Sequence, residues 1–199
     1  MGGIYIDIES KDLQRKVMFL QVVRNGAPRA VAQAMNRAAD GMKADAMKEI
    51  TATYAVKGSQ AKVRSLIAVQ KASETHLSAG IRSRGRPLRS FYYKHKANTS
   101  PGRRGGKSAF LQVKKAGGGG RLDGANGNSK AFMATMPNGM RGIFRRNAKG
   151  KLIQVWSPGV VQMLDNEGVK AVVERNALKR FNANLDQRIR HLVGKGVQL

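Results

Sequence analysis

The sequence predicts an α+β fold, a mainly antiparallel sheet with long amphipathic helices packed on one face and extended basic loops. Two observations carry this expectation. Apolar residues recur at three- and four-residue steps near both ends of the chain, the mark of helices with one buried face. Between them the pattern changes to short apolar or alternating runs separated by glycine, proline and asparagine, the mark of strands joined by turns. The chain has 199 residues, 41% of them hydrophobic, enough for a single domain with a sizeable core. It reads as one domain over 1–199, with mobile basic or glycine-rich insertions at about 96–109 and 116–130 that are too polar to pack.

Taken in order, residues 4–8 alternate as a short strand. Ser10 then offers a side-chain oxygen to the free amides of a helix running through Leu13, Val17, Leu20 and Val23, which Asn25-Gly26 ends. A second helix starts near Pro28, whose missing amide is harmless in a first turn. Its expected buried stripe is Val31, Met35, Ala38, Met42, Ala46 and Ile50, with Arg29, Arg37, Lys43 and Lys48 mostly off it. After Tyr54, Lys57-Gly58-Ser59 leads into a short helical turn. Residues 66–70, 77–81, 91–93 and 110–113 read as strands. Residues 132–136 and 142–144 form a hairpin turned by Pro137-Asn138-Gly139, and residues 147–150 turn again into a strand over 152–156. Pro158-Gly159 closes the strand region. From Val160 the helical period returns, and Val169, Val173, Ala177, Phe181, Leu185, Ile189 and Val193 form one stripe, ended by Gly194-Lys195-Gly196.

Charge is the feature that bears on function. The net charge is +25, and between Glu74 and Asp165 there are eighteen lysines and arginines against one acid, Asp123. Outside that segment the balance is nineteen bases to eleven acids. Arg82, Arg84, Arg86 and Arg89 alternate along a strand-like stretch, so several should share one face. Lys94, Lys96, Arg103, Arg104 and Lys107 continue the charge, then Lys114, Lys115, Arg121 and Lys130, with Phe91, Tyr92 and Tyr93 interleaved. For any one of these residues a solvated surface position is the simpler account. For the set, eighteen uncompensated charges exceed what solubility needs. The expected counter-charge is nucleic acid, an acidic protein surface, or both. No recognition helix or zinc finger is present to read bases, so nucleic-acid contacts would be independent of sequence and sensitive to salt.

Catalysis finds little support. Pro101-Gly102-Arg103-Arg104-Gly105-Gly106-Lys107-Ser108 nearly spells a phosphate-binding P-loop, but proline replaces the first glycine and a strand follows where a helix is required. Gly102-Arg103-Arg104-Gly105 also matches the GxxG loop of KH domains, without the two helices that loop must join. His76, His95 and His191 lie far apart and lack metal-site spacing. Carboxylate pairs are missing from the centre, so glycoside or phosphodiester chemistry has no acid–base couple there. No enzyme activity, cofactor or metal is expected. The absence of cysteine excludes disulfides and fits a reducing compartment. No secretory leader is recognisable at the N-terminus, and no apolar run approaches the roughly 18 residues of a membrane span.

Four segments carry a family resemblance. They are Ala34-Met35-Asn36-Arg37-Ala38-Ala39 in the early helix, the arginine-rich middle with its glycine run, the hairpin from Lys130 to Arg146, and the strand, proline connector and helix that begin at Leu152. In this order they resemble the minor tail protein Z family, tail-completion proteins of long-tailed phages, over about residues 25–193. The resemblance implies a noncatalytic virion subunit that forms a ring of six at the head-proximal end of the tail. Implied partners are copies of itself, a tail terminator or tail tube protein, head-side adaptor, stopper or portal proteins, and phage DNA in the lumen. Composition alone leaves an alternative open, a nonspecific nucleic-acid-binding protein of the cytoplasm. A small nuclease would have only Asp123 as a central carboxylate.

Overall fold

Two long helices lie against each other over a small antiparallel sheet, and the rest of the chain builds outward from that core. The structure is a computed structural model, and it describes residues 2–6, 27–57, 60–96, 108–122, 130–147 and 149–194. The elements are β1 (Gly2–Ile6), α1 (Ala27–Thr53), α2 (Gln60–Ser65), β2 (Ile67–Gln70) and β3 (Ala79–Ser83), then β4 (Leu88–Arg89), a 3₁₀ turn (Ser90–Tyr92), β5 (Lys94–Lys96) and β6 (Phe110–Gln112). There follow β7 (Gly120–Arg121), β8 (Phe132–Thr135), β9 (Arg141–Arg146), β10 (Leu152–Gln154), β11 (Trp156–Ser157), α3 (Val160–Leu164) and α4 (Glu167–Gly194).

The helical stripes read from the sequence are the core. Val31, Met35, Ala38, Met42, Ala46 and Ile50 of α1 and Val169, Val173, Ala177, Phe181 and Leu185 of α4 are all buried, while Ile189 is partly so. Alanines at 34, 38, 39, 46 and 177 leave little between the backbones, so the two helices can approach closely. One polar link crosses the pair. Arg180 of α4 grips Asp45 of α1 with both guanidinium nitrogens, one of them at 2.9 Å, and lies over Gly41, where a β-carbon would sit 2.8 Å from its Nη1. That hydrogen bond and the adjacent positive charge hold the Asp45 carboxyl below the usual carboxylate range despite partial burial.

Under the helices, β1–β3–β2 form an antiparallel sheet with Ile4 opposite Ile81 and Ile81 opposite Val69. Asn36 ties α1 to this layer. Its side-chain amide donates to the Ala72 carbonyl at 3.0 Å and its Oδ1 accepts from the Ala72 amide at 2.7 Å. The asparagine thus replaces a backbone partner that residue 72 would otherwise lack.

Several expectations change in detail. Among the described residues every strand pairing is antiparallel, but the strands divide into four small sheets instead of one. The expected strand over 91–93 is a 3₁₀ turn, closed when the Tyr93 amide donates to the Ser90 carbonyl. The strand expected from residue 77 starts at Ala79, because Ser73 and His76 close a turn before it. The strand over 152–156 breaks at Val155, and Trp156–Ser157 switches from the β9 sheet to pair with β4. The C-terminal helix divides at Asp165-Asn166, where the Asn166 side chain accepts the Val169 amide and restarts the helix. The helix expected over residues 10–25 lies outside the described residues.

A candidate basic interface

The far end of α1 positions the basic sheet. Beyond Thr53 the helix runs out into an extended stretch in which Tyr54 bridges Lys114 and Val56 bridges Tyr93. The Ala55 amide donates to Val113 O at 2.9 Å, and Ala55 O accepts from the Lys94 amide at 2.7 Å. A segment continuous with the core helix therefore joins the ends of β5 and β6. Tyr93 is fully buried and donates its hydroxyl to the Pro158 carbonyl, with burial first and the neighbouring Tyr54 second pushing its phenol well above the ordinary range. It stays a neutral donor at any physiological pH.

On this frame β5, β6 and β7 pair antiparallel, with Lys94 opposite Gln112, Lys96 opposite Phe110, and Phe110 opposite Arg121. Cross-strand partners project from the same face, as do residues two apart along a strand. Lys94, Lys96 and Arg121 thus share one face around the half-buried Phe110, and all three cations are exposed. Leu111 and His95 take the opposite face, Leu111 buried and His95 with Nδ1 2.8 Å from Tyr93 O. The glycine run has a steric cause here. A β-carbon at Gly119 would fall 2.2 Å from the Phe110 ring and 2.8 Å from Leu111 O, and Gly118 has a positive φ of 65°. Part of the span read as a mobile insertion, Gly120–Arg121, is thus a strand.

The feet of the two insertions meet. Ser108 is buried, donates its hydroxyl to Leu122 O at 2.9 Å and accepts the Ala131 amide at 3.1 Å. Ala109 donates to Ala131 O and accepts from the Leu122 amide, both at 2.8 Å. The residues where the two insertions end, together with Leu122 within the second, are therefore joined in one hydrogen-bonded knot. Arg103, Arg104 and Lys107 lie outside the described residues; Lys130 is exposed at the knot, and Lys114 and Lys115 are exposed just past β6.

The four arginines from 82 to 89 do not form one continuous strand face. β3 ends at Ser83, so Arg82 is half-buried on a central strand, Arg84 and Arg86 are exposed in the connection, and Arg89 sits half-buried on β4 opposite Trp156. The Gly85-Arg86-Pro87 run explains the break, since proline cannot donate to a ladder. The sequence reading did not single out Arg141, Arg145 and Arg146 on β9. All three are exposed, and Arg141 stands 5.6 Å from the Phe91 ring centre, close enough for a cation–π contact. Their place on either side of Gly142-Ile143-Phe144 is plain in the sequence, but only the fold shows that β9 faces the Phe91 turn.

Ion pairs among the described residues lie in the helices and the segments beside them, Arg29–Glu74, Lys71–Asp40, Lys170–Glu174 and Arg180–Asp45. None of these reaches the cations between Arg82 and Lys151. The two surfaces thus differ in kind: the helices intersperse six carboxylates among ten lysines and arginines, whereas the described residues from 82 to 151 hold no carboxylate. Among the described residues there is no group of three histidines or carboxylates able to hold a metal, and no helix long and apolar enough to cross a membrane.

Comparison with known proteins adds the family. No curated protein and no solved structure matches the chain. Residues 11–195 match the family described as prophage minor tail protein Z, a span that reaches further toward the N-terminus than the four motifs. On that match over nearly its whole length, the chain belongs to the prophage minor tail protein Z family, structural components of the phage tail that act among other virion proteins.

Proposed function

We propose that the chain has a noncatalytic role, completing the head-proximal end of the tail and joining it to the head as a ring subunit around the DNA channel. The observation that carries this reading is the separation of surfaces. The α1–α4 layer carries six carboxylates among its ten lysines and arginines, whereas the β5–β6–β7 face and the knot beside it gather cations with no carboxylate among the described residues to meet them. In a tail assembly the counter-charge is DNA in the lumen or an acidic neighbour. Lys94, Lys96 and Arg121 around Phe110 suit a phosphate backbone, since such contacts hold charge without reading sequence. The two insertions end at one knot next to this face, so both would reach the same neighbour.

The test is complementation. Tails assembled in cells lacking this chain are mixed with filled heads, with and without purified protein, and joining is scored by infectivity and electron microscopy. The reading expects joining only with the protein, and a ring at the junction. Normal joining in its absence refutes it.

A further inference from the structure

We propose that the outer edge of β10 accepts an added strand from an acidic virion protein. Among the described residues β10 is the last strand of the β10–β9–β8 sheet. The Asn147 amide donates to Lys151 O and the Val155 amide to Ile143 O, which turns Lys151 and Val155 toward β9. In an antiparallel ladder the bonded positions alternate, so Leu152 and Gln154 point their amides and carbonyls away from β9, toward the open edge. Edge strands are ordinarily guarded by shortness, lysine, proline or a bulge; β10 is short and follows Lys151, but residues 152–154 themselves carry no lysine, proline or bulge.

The side chains there add an apolar surface. Leu152 is 37% exposed, Ile153 39% and Trp156 51%, three of the four large apolar side chains left open among the described residues. Leu152 and Ile153 are consecutive, so apolar surface is offered on both faces of the strand. Cations frame it. Arg146 is opposite Leu152, Arg145 opposite Ile153 and Arg89 opposite Trp156. From Lys130 to Ser157 the sequence holds six bases and no acid. A second copy docked edge to edge would bring these like charges together, which is unfavourable. The fitting occupant is an extended segment that alternates apolar and acidic residues, held by backbone pairing and by the arginines on either side. This inference requires only that the chain works among other virion proteins; neither a ring nor DNA in a channel is needed.

The probe is a labelled peptide of alternating valine and glutamate, followed by fluorescence anisotropy on the full chain. Two control peptides are a valine–lysine version and a valine–glutamate version N-methylated at alternate residues. The variants are Gln154→Pro, which removes an outward amide without touching the β9 ladder, and Trp156→Thr. Binding of the valine–glutamate peptide alone is expected, weakened roughly tenfold or more by Gln154→Pro and several-fold by Trp156→Thr. Equal binding of the methylated peptide reduces the effect to charge and overturns the proposal, as does no binding at all. If Gln154→Pro unfolds the chain by circular dichroism, the methylated peptide on the unaltered protein decides. Self-association in sedimentation that Trp156→Thr abolishes would give the edge to a second copy instead.

Discussion

Replacing Asp45 by asparagine is expected to loosen the α1–α4 layer by an amount that the geometry bounds. Asp45 has 13% of its side chain exposed and Arg180 41%, so the pair is neither fully buried nor freely solvated. Exposed pairs contribute about 0–1 kcal/mol and breaking fully buried ones costs about 3–5, so this two-pronged, half-shielded pair belongs near 1–2 kcal/mol. In a chain of this size that corresponds to a fall in Tm of about 2–8 °C. A double-mutant cycle with Arg180→Met, read by chemical denaturation and circular dichroism, isolates the coupling. The pH dependence gives a second handle. The Asp45 pKa is depressed in the folded state, first by the Arg180 hydrogen bond. Its contribution is therefore complete above the ordinary aspartate value of about 3.9 and is lost as pH falls through the lower folded value. The gap between the native chain and Asp45→Asn should stay constant near neutral pH and close in acid. Gly41→Ala is a third arm. A β-carbon there would sit 3.0 Å from Arg180 Cδ, so the arginine must shift although both charges remain. A coupling energy of zero, or a gap unchanged down to about pH 3, would refute the argument.

Three further outcomes follow from the same geometry. Asn36→Leu leaves the Ala72 amide and carbonyl without their partner and is expected to cost about 2 kcal/mol in denaturant unfolding, whereas Arg37→Leu, an exposed neighbour, changes stability by less than about 0.5. Gly119→Ala drives a β-carbon into the Phe110 ring and Leu111 O, so hydrogen exchange should show earlier loss of protection at β6 and β7, with a stability cost of about 1–3 kcal/mol. Reversing Lys94, Lys96 and Arg121 together to glutamate should weaken binding to duplex DNA of any sequence and lower the salt slope by about two to three; an unchanged slope would remove this face from the DNA contact.

The helical stripes and the hairpin at Gly139 were legible because their signals are local. A 3.6-residue period marks its own buried face, and Gly139 sits at φ 75° in the turn that its Asn-Gly pair announced. The role of Asn36 was hidden, because its partner is thirty-six residues away. The same holds for Arg141, whose aromatic neighbour Phe91 lies on a turn that residue type alone suggested was a strand. The break at Val155 was also missed, because strand propensity runs unbroken there while the pairing partner changes; the one at Asp165-Asn166 was marked by two poor helix formers but masked by the apolar period that resumes at Val169.

By itself the sequence determined the α+β class, the two buried helix faces and the concentration of uncompensated cations in the middle of the chain, since these depend on periodicity and counting. Only the tertiary structure decided which cations share a surface. Lys94, Lys96 and Arg121 come together through strand register, and the two insertions through the knot at Ser108. Register and long-range hydrogen bonds join residues far apart along the chain, and no local pattern encodes that pairing.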